Sequence, residues 1–315
     1  MKRLSLIIPF YNEAESAPLL FERLNSVERD LLERGIALEL ILVDDGSRDS
    51  TWEILKQRRE ERPQTILVKL TRNFGAWPAC RAGMGFVTGD CFMFLSADLQ
   101  DPPELIVTLA EKWLEGNRFT ICERNTRRDP PSAKFFSELY YRLVRLLAVP
   151  DFPKHGYEIA LMDRSMLAYL KECAKSVNLS LLAYWLGFQP VVLSYDRPGR
   201  IRGVSGWSIP KKITFFLDSL LGFTVLPLRL LSLAGVAVAA VSAAYGIWVL
   251  IYGLLGWIEA PGFATIVSLI CFLLGLIILM LGVIGEYLWR VFDEINNRPE
   301  WVIEEVCDHR KESEK

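Results

Sequence analysis

Apolar and polar positions fall into two regimes along the chain. Up to about residue 228, short apolar runs alternate with stretches of mixed charge, whereas from Leu230 to Gly285 the single charged side chain is Glu259. In the first regime "LSLIIP", "LELILVDD", "TILVKL", "CFMFLSAD" and "FTICER" read as strands. The segments around 14 to 34, 50 to 61, 76 to 88 and 103 to 116 carry helical patterns. This alternation predicts a mostly parallel sheet covered by helices. Ligands of such sheets bind beyond the carboxyl ends of the strands, so the polar residues ending each run matter most. These are Pro9 to Glu13, Asp44 to Asp49, Thr71 to Gly75 and Ser96 to Asp101.

The second regime offers 29 uncharged residues from Leu230 to Ile258 and 26 from Ala260 to Gly285. Each is long enough for a tilted helix across a hydrocarbon core of about 30 Å. A buried helical pair in a soluble protein is the alternative, but such helices rarely run this long without a polar face. Small residues in "LAGVAVAAVSAAYG" suit close helix packing. Arg197, Arg200, Arg202, Lys211, Lys212 and Arg229 precede the first span, Arg290 and Arg298 follow the second, and the turn "GWIEAPG" has no cation. Both ends are therefore expected in the cytoplasm, with Trp257, Tyr287 and Trp289 in interfacial belts. Lys2 and Arg3 precede an apolar stretch too short for a signal-peptide core. In "WSIPKKITFFLDSLLGF", Trp207, Ile213, Phe216, Leu217 and Leu220 share helical spacing, which predicts an interfacial helix. The expected layout is a cytoplasmic domain over 1–205, that helix over 206–228, two spans at about 230–257 and 262–288 within 229–290, and a cytoplasmic tail over 291–315.

Composition changes the picture little. A net charge of −2 gives no sign of nucleic-acid binding, and six widely separated cysteines suggest neither a disulfide framework nor a zinc site. No Gly-x-Gly-x-x-Gly follows the first strand and there is no Walker loop, which disfavours a dinucleotide dehydrogenase.

"IIPFYNEAES", "ILVDDGSRDST", "LTRNFGAWPACRAGM" and "LSADLQDPPEL", in this order and spacing, resemble family 2 glycosyltransferases with the GT-A (Rossmann-like) fold. More closely they resemble polyprenyl-phosphate glycosyltransferases, bacterial enzymes that put a sugar on undecaprenyl phosphate, and the related dolichol-phosphate mannose synthases. The likeness covers about residues 3 to 230, and the two trailing spans match the bacterial members. It implies an α/β GT-A domain followed by a transmembrane hairpin, a nucleotide-sugar donor, a polyprenyl phosphate acceptor, the inner membrane as location, and Mg2+ or Mn2+ as cofactor. A homo-oligomer is left open. UDP-glucose is the first guess for the donor, and transfer proceeds with inversion. A processive polysaccharide synthase would carry Gln-x-x-Arg-Trp and usually more spans, which this chain lacks. A catalytically silent membrane scaffold is the alternative from another class.

Along an extended "LSADLQ", Ser96, Asp98 and Gln100 project to one side. Asp101 at N-cap, Pro102 at the first helical position and Glu104 at N3 read as a helix start. The family usually has Asp-x-Asp where this chain has Ser96-Ala97-Asp98. Asp98 and Gln100 could still hold a divalent cation together with waters and diphosphate oxygens, Ser96 meeting a metal water or a phosphate oxygen. By resemblance, Ser96 and Ala97 lie at the nucleotide sugar, Pro9, Tyr11 and Glu13 line the nucleoside, Asp44 or Asp45 bonds the base, and Arg72 and Arg124 face the diphosphate. Gly46 is read as a turn residue with positive φ and Asp49 as a helix cap. "HGYEIALMDR" resembles a segment that places Glu158 at the position of a catalytic-site aspartate, with His155 read as a loop residue. In "RPGRIRGVSGW", Arg200 and Arg202 face the lipid phosphate and leaving group, and Ser205-Gly206-Trp207 stands where relatives often read Ser-Arg-Trp. Asp98, Glu158, Arg200 and Arg202 form the expected catalytic set.

Overall fold

The computed structural model describes residues 1–124, 131–175, 177–195, 216, 218–219, 221–255, 262–296 and 298–312. The chain divides into two compact units, Met1–Phe216 with Pro299–Lys315, and Leu217–Arg298.

The first unit is built on strands β1 (Lys2–Phe10), β2 (Ile36–Asp44), β3 (Ile66–Leu70), β4 (Cys91–Phe94), β5 (Phe119–Arg124), β6 (Ile159–Asp163), β7 (Val191–Tyr195) and β8 (Ile303–Cys307). They form one sheet in the order β7-β5-β6-β4-β1-β2-β3-β8. β1 pairs in parallel with β2 and β4, β2 with β3, and β5 with β7. β6 runs antiparallel to β4 and β5, and β8 antiparallel to β3. All five runs read from the sequence form strands. Leu38 to Val43 are buried without alternation, as befits a central parallel strand covered on both faces.

Helices α1 (Ala17–Glu33), α2 (Thr51–Glu61), α3 (Ala76–Met84) and α4 (Leu105–Leu114) follow the first four strands; α5 (Pro131–Leu147), α6 (Leu167–Lys171) and α7 (Leu179–Trp185) come later. α1 buries Ala17, Leu20, Phe21, Leu24, Val27 and Leu31, a stripe three or four residues apart. That stripe joins Leu4, Leu6, Ile8 and Phe10 of β1 in the main core. α3 packs on the opposite face, and Gly83 permits its approach: a Cβ there would lie 2.5 Å from Ile7 Cγ2 and 3.1 Å from Val43 Cγ2.

The sequence pattern predicts that this domain ends at residue 205 and that 291–315 is a tail. Instead, residues 303–307 supply the edge strand β8, and Thr71 N donates to Val302 O at 3.0 Å. Short-range pattern cannot identify such a strand, because its partner lies more than 230 residues away in sequence. The return is fixed by ion pairs. Arg81 Nη1 lies 3.5 Å from Glu300, Lys69 Nζ 3.2 Å from Glu304, and Arg310 meets Asp308 at 2.6 Å and Glu39 at 3.4 Å.

The second unit contains two long helices, α8 (Leu226–Leu254, 29 residues) and α9 (Phe263–Ile295, 33 residues). Among the described residues, Phe272–Ile295 is long and apolar enough to cross a membrane, with mean hydropathy 2.1 and none of it buried inside the protein. α8 starts four residues before Leu230, and α9 runs ten past Gly285. Tyr287 Oη donates to Thr224 O at 3.0 Å, and Arg290 Nη2 to Asp218 Oδ1 at 2.8 Å. Of the expected interfacial helix, residues 206–215 lie outside the described residues; so do Glu259 and Trp257.

Candidate active site

The strand directions place the carboxyl ends of β1, β2, β3, β4, β5 and β7 on one edge of the sheet, together with the residues leading into antiparallel β6. Pro9, Asp44, Arg72, Asp98, Arg124, Glu158 and Tyr195 therefore share that edge.

On the β1 and β2 side the two loops hold each other. Asn12, at φ 54°, accepts from Arg48 N at 2.8 Å and donates through its backbone N–H to Ser47 Oγ at 3.0 Å. Asp49 accepts from Thr51 N at 3.1 Å and from Ala14 N at 3.2 Å, so it caps α2 and also ties it to the first loop. Tyr11 is 39% exposed at the rim. Glu13 accepts from Ser16 Oγ at 2.5 Å at the entry of α1, while its backbone N–H donates to Thr51 Oγ1 at 2.9 Å. Gly46 has φ +66°, and a Cβ there would fall 2.5 Å from the Arg72 carbonyl carbon. Both the turn and the close approach of the third loop require glycine.

Asp44 and Asp45 are buried, and both accept from backbone donors. Asp44 takes Ser47 N at 3.3 Å; burial raises its pKa against that bond. Asp45 takes Phe74 N at 2.7 Å and Gly75 N at 2.8 Å, and burial pushes it up to about 6 while these two bonds pull it down. Its carboxylate thus orders the Thr71–Gly75 loop. Arg72 lies 4.0 Å over the Phe74 ring and donates to Asn73 O at 3.1 Å.

Strand pairing of β4 stops at Phe94, yet exposure keeps alternating. Leu95, Ala97 and Leu99 are buried, Ser96 is exposed, and Asp98 and Gln100 are half-buried. The three polar residues are thus more exposed than their neighbours, although the chain turns at Ala97 and Asp98 and does not stay extended as the sequence pattern expects. Leu99 has φ +58°, a strained conformation for a bulky residue, held here by its burial. Asp98 Oδ1 accepts from Gln100 N at 3.1 Å.

Asp101 is not the helix cap expected of it. It is 5% exposed and accepts from Tyr195 Oη at 2.7 Å. The chain turns through Pro102 and Pro103, whose carbonyls take the N–H groups of Leu105 and Ile106 at 3.1 and 3.0 Å, so the helix start needs no side-chain acceptor. Glu104 departs from its expected role as well. It sits at the N-cap without capping and forms a two-pronged bond with Arg23, at 2.9 and 2.6 Å.

Arg124 Nη2, half-buried, lies 2.6 Å from Oε1 of the more exposed Glu158, and Glu158 N donates to Cys122 O at 3.3 Å. Burial opposes the Arg124 charge, and Glu158, ahead of Tyr195 and Asp101, raises it again. The sequence reading assigned Glu158 and Arg124 separately; the fold pairs them. Local pattern does not single out Tyr195, and it offers Asp101 as a helix cap where the fold makes it the partner of that tyrosine. The available signal was that "VVLSY" ends a strand on the same edge. Arg200 and Arg202, with Ser205, Gly206 and Trp207, lie outside the described residues.

Asp98 and Gln100 are half-buried hard oxygen donors at the rim. Among the described residues no group of three or more His, Cys, Asp or Glu forms a ready cage. That set fits Mg2+ or Mn2+, which take one or two carboxylates and complete their shell with water and substrate phosphates.

Residues 5–174 match the family model described as glycosyl transferase family 2. An uncharacterized glycosyltransferase of Synechocystis is 33% identical over 305 residues, 96% of this chain and 95% of that protein. One of Bacillus subtilis is 31% identical over 305 residues, covering 95% and 93%. The SfII prophage-derived bactoprenol glucosyl transferase of Shigella flexneri is 29% identical over 303 residues, covering 96% and 97%. Since the family model spans more than half of the chain, and the carboxyl edge of a GT-A-like sheet carries its motifs, this chain is a glycosyltransferase and belongs to glycosyl transferase family 2.

Proposed function

We propose that this glycosyltransferase moves a sugar, glucose in the first instance, from a UDP-linked donor to the phosphate of a polyprenyl phosphate. An oxygen of the lipid phosphate attacks the anomeric carbon, the bond from that carbon to the diphosphate breaks, and UDP departs with inversion at the sugar. The observation that carries this reading is the Arg124–Glu158 ion pair on the same strand edge as Asp98. An acceptor phosphate is already ionised near neutral pH, so Glu158 has no proton to remove. Its carboxylate instead fixes Arg124 and orients the donor sugar. A divalent cation held by Asp98 and Gln100 would offset charge on the departing diphosphate. Pro9, Tyr11 and Glu13 border the nucleoside, Asp44 and Asp45 shape its loops, Ser96 and Ala97 lie beneath the sugar, and Arg72 lies towards the diphosphate. Arg200 and Arg202 are assigned to the lipid phosphate from the sequence. The name of the Shigella relative, bactoprenol glucosyl transferase, supports the acceptor class and the sugar.

The same reading makes α8 and α9 a membrane hairpin in the bacterial inner membrane with both termini cytoplasmic. The distribution of lysine and arginine supports it. Cysteine labelling from the outside should reach the turn near Glu259 and spare the C-terminal residues; labelling of the latter would overturn the topology. For the reaction, purified protein in detergent with labelled UDP-glucose should give a lipid-linked sugar and UDP only when undecaprenyl phosphate is present. Absence of lipid-dependent transfer across a panel of sugar nucleotides would overturn the acceptor assignment.

A further inference from the structure

The chain leaves α9 at Ile295 and rejoins the sheet unit from Pro299 onward. Glu300 is 14% exposed and lies 3.5 Å from Arg81 Nη1 on α3. Arg81, 5% exposed, also donates to Cys173 O at 3.2 Å, Ala174 O at 3.1 Å and Val177 O at 3.0 Å, so the guanidinium that Glu300 meets is a fixed post. Beyond it, Val302 O accepts from Thr71 N at 3.0 Å, and Ile303 pairs with Leu70. The register of β3 with β8 shifts between Lys69 and Leu70, so the Leu70 pair and the Thr71 bond stand apart from the regular ladder below them. Thr71 opens the Thr71–Gly75 loop, and α3 begins where that loop ends. Residues 299–302 therefore hold the loop at both ends, Thr71 by a backbone bond and α3 through Arg81. Asp45 holds it from the β2 side through Phe74 N and Gly75 N. β8 is an edge strand, paired on one side, and such elements open at low free-energy cost. A ligand that orders the loop then steadies the segment that grips it, and the segment in turn strengthens the ligand's hold, because coupling between sites is reciprocal.

We propose that residues 299–302 are a brace that positions the Thr71–Gly75 loop for the sugar nucleotide, with Glu300 as its anchor on Arg81 and the Val302 carbonyl as its hold on Thr71. The brace touches no reacting atom and acts on donor binding, not on transfer. The inference rests on the reading of that loop, through Arg72, as part of the sugar-nucleotide site.

The first test is amide hydrogen exchange of the full chain in detergent, with and without saturating UDP or, in parallel, GDP, each with Mg2+. One nucleotide should slow exchange at the loop and also, about fivefold or more, at Glu300 to Ile303, while α1 changes less than about twofold. Protection of the loop without the segment overturns the brace alone. Protection of neither overturns the nucleotide assignment of the loop and the brace with it. Equal slowing in α1 would mark general stabilisation and also overturn the brace. This arm needs no turnover, so failure of wild-type transfer to undecaprenyl phosphate overturns the acceptor assignment and leaves the brace to be judged by protection. The second test is kinetic. Glu300→Ala should raise the KM for UDP-glucose about 5- to 50-fold with kcat within about twofold, the signature of lost uniform binding. Glu300→Gln should raise it less, since an acceptor oxygen remains, and gives a second route if the alanine variant folds poorly. Arg310→Ala, which loosens the chain just past the far end of β8, should leave that KM within about twofold. An unchanged KM in both Glu300 variants, a loss confined to kcat, or the same rise in Arg310→Ala would overturn the brace.

Discussion

Replacing Asp45 by asparagine isolates the electrostatic cost of ordering the Thr71–Gly75 loop. The carboxylate is 2% exposed, accepts from Phe74 N and Gly75 N, and has its pKa pushed from 3.8 up to about 6 by burial. At about 1.4 kcal/mol per pH unit, the rise makes the charged form about 3 kcal/mol less favourable in the folded chain than in the unfolded one. Between pH 3.8 and about 6 the folded chain keeps a proton that the unfolded chain has released. Stability from this group therefore falls as pH rises through that window and is level above it. Asparagine resembles the protonated acid, with one acceptor oxygen and one donor, and it does not titrate. Relative to wild type, the stability of Asp45→Asn should therefore rise by about 3 kcal/mol between pH 4 and pH 7, whatever constant cost the lost bond adds. Activity should move the other way, since the neutral amide cannot accept from both N–H groups and the loop loses a bond; the KM for the sugar nucleotide rises. Urea titrations of the full chain in detergent at a series of pH values measure the difference directly. A gap that stays constant from pH 4 to pH 7 would refute the reasoning.

Other perturbations separate the remaining elements. Glu158→Gln should depress turnover strongly and leave nucleotide affinity nearly intact, since the lost interaction belongs to the transition state; full activity would remove Glu158 from the reaction. Asp98→Asn should abolish most metal-dependent turnover, with Ser96→Ala losing less, and undiminished wild-type activity in chelator would count against a metal at this rim. Gly46→Ala must place a Cβ 2.5 Å from backbone at φ +66°, and is expected to cost about 2 kcal/mol or more by denaturant titration. Arg310→Ala leaves the nearly buried carboxylates of Asp308 and Glu39 without that cation, and should destabilise the sheet unit by about 3 kcal/mol; a change under about 0.5 kcal/mol would show the C-terminal return to be dispensable.

The sequence by itself determined what depends on near neighbours in the chain. Short apolar runs separated by helical stripes specify β1 to β5, strands of four to nine residues, and the helices between them, and parallel pairing then puts the ends of those runs on one edge. Gly46 and Asp49 were legible for the same reason: a positive φ and a cap two residues ahead are local demands. The tertiary structure decided which partner each polar group met. Asp101 looks like a cap in the sequence, but the Pro102 and Pro103 carbonyls satisfy the helix start and a tyrosine 94 residues away takes the carboxylate. The resemblance offers Asp44 or Asp45 to the base; what the fold adds is that Asp45 accepts from the N–H groups of Phe74 and Gly75. The segment after residue 298 has no helical or buried-strand signature, and becomes β8 because the edge of β3 offers unpaired backbone groups and Arg81, Lys69 and Glu39 offer charges to match. Local pattern fixes period and φ, whereas the partner of a buried charge is fixed by where the chain returns, since a charge removed from water must be met by whatever the fold places beside it.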